Sequence, residues 1–337
     1  MSLRVFILAV AMATAAACGS GPTPPPPPPA APTVSCPAPI SFESPDNVPM
    51  PVSFTVPTAS GGQAPVTVSC SAQSGANFPL GSTIVTCTAT DALQRTATCN
   101  FNVAVTPTPR ISKTTFLAFG DSITYGRCNV SPQECDPYTI RLRQLLQERY
   151  AKQSFTVTNV GIPGEIASDD ISDPLGRLAG QDRIFSELVR ANPGVLLLME
   201  GANDLISAAH RPTFAVDSAE TALERMVEIA QGRGVTVFLA TVSPQRYPAP
   251  AGSSNRDASG PLVPLLNDRI KSIAARRGAH LVDIYAAMHA NLAGTISVDN
   301  LHPTELGIRV MADTFFAAIR ARLDITPTAS SSLFKRP

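Results

Sequence analysis

Thr115-Phe116-Leu117-Ala118-Phe119-Gly120-Asp121-Ser122-Ile123-Thr124 carries a short apolar run into a glycine, an acid and a serine. Residues 115–119 lack the polar alternation of a half-exposed strand, so they predict a strand buried on both faces, as in a parallel sheet. The turn behind them predicts a strand-to-helix junction. Ser122 there would hold its hydroxyl at the sheet edge and its backbone N–H at a helix start, where negative charge developing on an oxygen can be held. Gly-Asp-Ser also suits an ordinary turn and helix cap, so its meaning depends on the rest of the chain.

Four more apolar runs of this kind occupy residues 155–160, 195–199, 235–242 and 280–284. Amphipathic segments lie between them: Ile140, Leu142, Leu145 and Leu146 make one apolar face, Ala222, Leu223, Met226 and Ile229 another, and a last helix is predicted over 304–323. Five strands alternating with helices over residues 112–325 predict an α/β fold, a three-layer α/β/α sandwich on a five-stranded parallel sheet. Its chemistry is expected at the carboxyl ends of the strands.

Three further junctions carry chemistry-bearing side chains. Asn159-Val160-Gly161-Ile162-Pro163-Gly164 has glycines that can present backbone N–H groups to a substrate oxygen, and Glu200-Gly201-Ala202-Asn203-Asp204 can aim the Asn203 amide at the same atom. Asp299-Asn300-Leu301-His302-Pro303 sets a carboxylate three residues before an imidazole, a spacing that permits a hydrogen bond between them. Taken singly, these are a turn, a helix cap and a loop histidine.

In this order, each after a strand, the four segments resemble the sequence blocks of SGNH (GDSL-type) hydrolases over residues 112–323, with Ile123 where leucine is usual. The resemblance implies an SGNH/flavodoxin-like fold and a serine esterase or lipase. Carried over by position, Ser122 is the nucleophile, His302 the general base and Asp299 its orienter. Ser122 N–H, Gly164 N–H and the Asn203 side chain form the oxyanion hole; Gly164 is taken over Gly161 because the last glycine of the motif is the family's donor. The chemistry calls for no metal and no cofactor. His210, His280 and His289 read as structural, and Asp121 and Asp204 as acceptors that fix loops. No long apolar lid segment is visible, and residues 243–261 are polar and rich in Gly, Ser and Pro. That composition favours short acyl groups on bulky alcohols, as in acetylated polysaccharide. A lysophospholipase or thioesterase is the enzymatic alternative, and an inactive surface-binding protein the non-enzymatic one.

The first 110 residues have a different character. Of 26 basic and 26 acidic residues in the chain, only Arg4, Glu43, Asp46, Asp91, Arg95 and Arg110 precede Ile111. A net charge of zero with no basic cluster gives nucleic acid nothing to hold by long-range attraction. Runs rich in Val, Thr, Ile and Phe at residues 52–56, 66–71, 83–89 and 96–105, punctuated by Gly and Asp, predict a small antiparallel sandwich over 33–106. So small a core gains from disulfides. Cys36, Cys70, Cys87 and Cys99 allow three pairings, and Cys128 with Cys135 encloses a short loop behind Ser122.

Cys36-Pro37, residues 74–81, 85–91 and 99–103 resemble a hyalin-repeat (HYR) module, an immunoglobulin-like domain. The resemblance implies a spacer or adhesion role, with contact to glycan or protein, and pairs Cys36 with Cys99 and Cys70 with Cys87.

At the start, Arg4 precedes an apolar stretch over 5–17, too short to span a bilayer and suited to a signal peptide over 1–17. Ala15-Ala16-Ala17-Cys18 resembles a bacterial lipobox, with Ala15 where leucine is usual, so the readings are lipidation at Cys18 or plain signal cleavage. Eight prolines between Pro22 and Pro32 predict a polyproline stalk in an 18–32 linker. The expected location is extracytoplasmic, at the outer membrane if Cys18 is lipidated and secreted otherwise. The tail, 326–337, is expected to be disordered.

Overall fold

The computed structural model describes residues 27–128, 135–169, 177–207, 212–246 and 260–327. The signal segment, Cys18, the first part of the proline stalk, His210, most of the 243–261 stretch and all but the start of the tail lie outside the described residues. The chain divides into two compact units. One joins Met50–Ala104 to the residues before Phe42, and the other joins Phe42–Pro49 to the chain from Val105 onward.

The N-terminal region is all-β: β1 (Thr33–Val34), β2 (Ile40–Ser44), β3 (Met50–Pro51), β4 (Ala59–Ser60), β5 (Thr67–Cys70), β6 (Asn77–Phe78), β7 (Gly81–Thr90) and β8 (Thr96–Pro107). Its main sheet runs β2-β8-β7-β5, with β1-β4 and β3-β6 as two-stranded pairs. Alternation along β7 and β8 buries Val85, Cys87, Ala89, Phe101 and Val103. Disulfides join Cys36 to Cys99 and Cys70 to Cys87. Residues 52–56, expected as a strand, are not one. Ser74 Oγ takes both backbone groups of Phe54, accepting its N–H at 2.8 Å and donating to its carbonyl at 2.7 Å. A side chain has replaced the ladder.

From Thr115 onward five strands are described, β9 (Thr115–Gly120), β10 (Thr156–Asn159), β11 (Val195–Met199), β12 (Thr236–Ala240) and β13 (His280–Val282). All pair in parallel, in the order β10-β9-β11-β12-β13. Nine helices are described: α1 (Ser122–Tyr125), α2 (Tyr138–Arg149), α3 (Gly180–Ala191), α4 (Ala202–Ser207), α5 (Pro212–Gly232), α6 (Leu262–Arg277), α7 (Ile284–His289), α8 (Leu292–Thr295) and α9 (Glu305–Leu323). Among the described residues no helix is long and apolar enough to cross a membrane.

Both faces of this sheet are covered. Leu117, Phe119, Leu196, Leu198, Val237 and Leu239 pack with side chains of α3, α5 and α6, while Phe116, Ala118, Val195, Leu197, Phe238 and Ala240 pack with those of α2, α7 and α9. The two-residue period of a strand sends alternate apolar side chains to opposite cores, which is why the runs show no polar alternation. Truncating one such leucine to alanine costs about 2–5 kcal/mol, so the sheet is a stiff base for loops at its ends. The strand order is the flavodoxin-like one: the chain goes from β9 to one side for β10 and then to the other for β11. A crevice therefore opens at the carboxyl ends of β9 and β11.

Candidate active site

Ser122 sits in that crevice as the first residue of α1, directly beyond β9. Asp121 caps the helix, its Oδ1 accepting Ile123 N–H at 2.9 Å, and Gly126 ends it in the left-handed conformation at φ 118°. The serine is mostly buried.

His302 arrives from the far end of the chain. Ile296 and Pro303 bridge, and Ser297 N–H donates to His302 O at 2.9 Å, closing a tight loop that Asn300 turns with φ 67°. Thr304 then caps α9 by accepting Gly307 N–H at 3.1 Å. His302 Nε2 thereby lies 3.0 Å from Ser122 Oγ across 180 residues of sequence. On its other side His302 Nδ1 lies 2.5 Å from Asp299 Oδ2. Asp299 Oδ1 accepts three more bonds, from Ser297 Oγ at 2.6 Å, His302 N–H at 2.9 Å and Leu301 N–H at 3.1 Å. Burial alone would push this carboxyl up, but the bonds from the His302 ring, Ser297 and the two backbone N–H groups outweigh it and hold it well below the usual carboxylate range. It stays ionised beside the imidazole.

The two glycines of the 159–164 segment differ in environment. Gly161 N–H donates to Asn159 Oδ1 at 2.9 Å, and a Cβ there would stand 2.3 Å from Tyr125 N, so this glycine serves close packing against α1. Gly164 has φ 82°, and a Cβ there would meet only Arg177 Cδ at 4.0 Å. Asn159 was legible only as part of the motif, yet its Nδ2 also donates to Thr124 O at 2.6 Å, tying this loop to the helix that carries Ser122.

Asn203, the second residue of α4, is buried and its Nδ2 donates to Glu165 O at 2.8 Å. Its neighbour Asp204 accepts Ala167 N–H at 2.8 Å and Ser168 N–H at 3.2 Å. The start of α4 thus grips the loop behind β10 by two side chains. The structure brings Ser122, His302 and Asp299 into one hydrogen-bonded line, and sets Asn203 and Gly164 on either side of Glu165. A disulfide joins Cys128 to Cys135 behind α1. His280 begins β13 and His289 ends α7, both away from this line.

Reading by motif missed Glu165, Arg183 and Glu200. Arg183 Nε and Nη2 hold Glu165 at 2.7 and 2.5 Å. Glu200 lies buried beside them. In the sequence Glu200 shows only as an acid directly behind the apolar run 195–199, a place that does not by itself bury it.

Buried carboxyls give this region a pH dependence. Burial pushes Asp121 up to about 7, with Glu165 and Asp204 adding to the rise. Burial also pushes Asp204 up to about 6, against the bonds from Ala167 and Ser168. A carboxyl whose pKa is raised on folding stabilises the fold fully below its unfolded value and loses that contribution as pH rises through the folded value. The unfolding free energy is therefore expected to drop by a few kcal/mol between about pH 4 and about pH 7. Urea titrations followed by tyrosine emission check this, since all five tyrosines lie beyond residue 112 and the chain has no tryptophan. A flat or rising profile across that range counts against the buried acids.

The model of the GDSL-like lipase/acylhydrolase family matches residues 118–310, and that of the HYR domain matches residues 29–105. No curated protein matches the chain. Among solved structures, the chain is similar to Axe2, an acetylxylan esterase from Geobacillus stearothermophilus, at 21% identity over 62% of this chain and 94% of that one, with a TM-score of 0.48. It is similar also to LAE5, an alpha/beta hydrolase enzyme from the metagenome of Lake Arreo, Spain, at 20% identity over 62% of this chain and 95% of that one, with a TM-score of 0.49. The disulfides and the HYR domain mark an extracytoplasmic protein. With more than half of its length matched, the chain belongs to the GDSL-like lipase/acylhydrolase family and is an ester-hydrolysing enzyme that carries a HYR domain ahead of its catalytic region.

Proposed function

We propose that the enzyme is a surface-anchored serine esterase that removes short acyl groups, acetyl groups on polysaccharide among them. The observation that carries this reading is the line from Ser122 Oγ to His302 Nε2 at 3.0 Å and from His302 Nδ1 to Asp299 Oδ2 at 2.5 Å. In acylation His302 Nε2 takes the Ser122 proton as Oγ bonds to the ester carbonyl carbon, and the carbonyl π pair moves onto oxygen. Ser122 N–H, Gly164 N–H and the Asn203 amide hold that oxygen. The engagement of Gly161 N–H by Asn159 supports Gly164 as the donor. When the carbonyl re-forms, the C–O bond to the alcohol breaks and His302 returns its proton to the leaving oxygen. Water then repeats the sequence on the acyl-enzyme, giving its proton to His302, and releases the acid and Ser122. Asp299 keeps its charge throughout and steadies the imidazolium.

The domain reading completes the proposal. Residues 1–17 are a signal peptide, and Cys18 carries a lipid that holds the protein at the outer membrane. Residues 18–32 are a stalk, 33–106 the HYR-like spacer or adhesion module, 112–325 the catalytic domain and 326–337 a disordered tail. The polar 243–261 stretch supports bulky, hydrophilic alcohols as leaving groups.

The test is hydrolysis of p-nitrophenyl acetate, butyrate and octanoate and of acetylated xylan. Rates that drop with chain length and include xylan are the expected result. A maximum at octanoate would replace the substrate class with lipid esters, and no hydrolysis of any of these esters would leave a binding role for the surface module.

A further inference from the structure

Among the described acids buried behind the crevice, none of which the reaction above uses, Asp121, Glu165 and Asp204 accept hydrogen bonds and Glu200 accepts none. It follows β11 directly, is 1% exposed, and neither of its carboxylate oxygens meets a donor. The charged groups around it are Asp121 beyond β9, Glu165 beyond β10, Asp204 on α4 and Arg183 on α3. The cation is committed elsewhere. Arg183 grips both oxygens of Glu165, pairs with Glu187 at 3.3 Å and lies 4.1 Å over the ring of Phe119.

A side-chain contact from Glu200 is among the influences that pull the Glu165 carboxyl down against its burial. Two ionised carboxylates are both acceptors, so this contact is a bond only if one of them carries a proton. The two-pronged grip of Arg183 selects the ionised partner, because a guanidinium fork binds a carboxylate far better than an acid. Glu165 is therefore the acceptor and Glu200 holds the proton. We propose that Glu200 is a carboxylic acid that donates to Glu165, and that this bond is a positioning strut for the oxyanion hole. Glu165 follows Gly164 directly, its carbonyl accepts the Asn203 amide at 2.8 Å, and Glu200 stands three residues before Asn203. The strut thus joins the loop of one oxyanion donor to the strand end of the other. Burial and the neighbouring carboxyls of Asp121, Glu165 and Asp204 push the Glu200 carboxyl well above its ordinary range, in the same direction.

The positioning role rests on the assignment of Gly164 and Asn203 as oxyanion donors, whereas the proton on Glu200 does not. The experiment separates the two. Infrared spectra of the full protein carrying isotope-labelled glutamate are expected to show the carbonyl stretch of a protonated acid at about pH 8, where an ordinary glutamate is ionised, and Glu200→Gln should abolish it. Kinetics on p-nitrophenyl acetate follow. Glu200→Leu removes the donor and is expected to lower kcat by about 10- to 100-fold with KM little changed. Glu200→Gln supplies an amide N–H in the same place and should keep kcat within about threefold, with the wild-type pH profile.

Absence of the acid band from the wild type overturns the proposal whether or not the leucine variant folds. A folded Glu200→Leu with wild-type kcat, or a Glu200→Gln as impaired as the leucine variant, overturns the strut. Failure of the esterase reading would show instead in the wild type, as no hydrolysis at all with the acid band intact.

Discussion

Ser122→Ala is expected to lower kcat on p-nitrophenyl acetate by about a million-fold, leaving only the residual catalysis of binding and oxyanion contacts. The size of the loss follows from the geometry. His302 Nε2 faces Ser122 Oγ at 3.0 Å, so removing the hydroxyl leaves the base with only water to activate and no acyl-enzyme to form. Stability should be almost unaffected, because the deleted hydroxyl bonds to His302, whose ring Asp299 holds from the other side. An organophosphonate is expected to label the wild type once, at Ser122, and the variant not at all. Hydrolysis at equal rates by both proteins would refute the nucleophile assignment.

Asp299→Asn is expected to reduce kcat by about ten-thousand-fold with little change in KM. Asp299 Oδ1 accepts from Ser297 Oγ and from the N–H groups of Leu301 and His302. An asparagine must keep its one carbonyl oxygen on those three donors, which turns its NH2 toward His302 Nδ1. The ring nitrogen is then forced to accept, its proton moves to Nε2, and the face toward Ser122 can no longer take the hydroxyl proton. Steady-state kinetics check the loss. A variant that retains wild-type kcat would show that Asp299 only shapes the loop.

The candidate site was readable where its chemistry is local. Asp121 caps the helix two residues on, and Asp299 meets His302 three residues on; short spacings largely dictate such contacts, so a single sequence can carry them. Runs such as 195–199 showed through their lack of polar alternation that both faces of the sheet would be covered. The 52–56 run misled for the converse reason. Its alternation promised a ladder, and a hydroxyl twenty residues away, on Ser74, took the backbone groups of Phe54 instead.

By itself, then, the sequence determined the alternation of strand and helix, the four strand-end segments, and the composition break near residue 110, because propensity, period and spacing act over a few residues. Only the tertiary structure decided which segments meet. It brought Ser122 to His302 across 180 residues, packed Gly161 closely against α1 while leaving Gly164 with only Arg177 Cδ near it, and enclosed Glu200 with Glu165 and Arg183 from three separate elements. Those choices depend on the order in which strands enter the sheet and on the burial that follows, and neither is written in any one stretch of the chain.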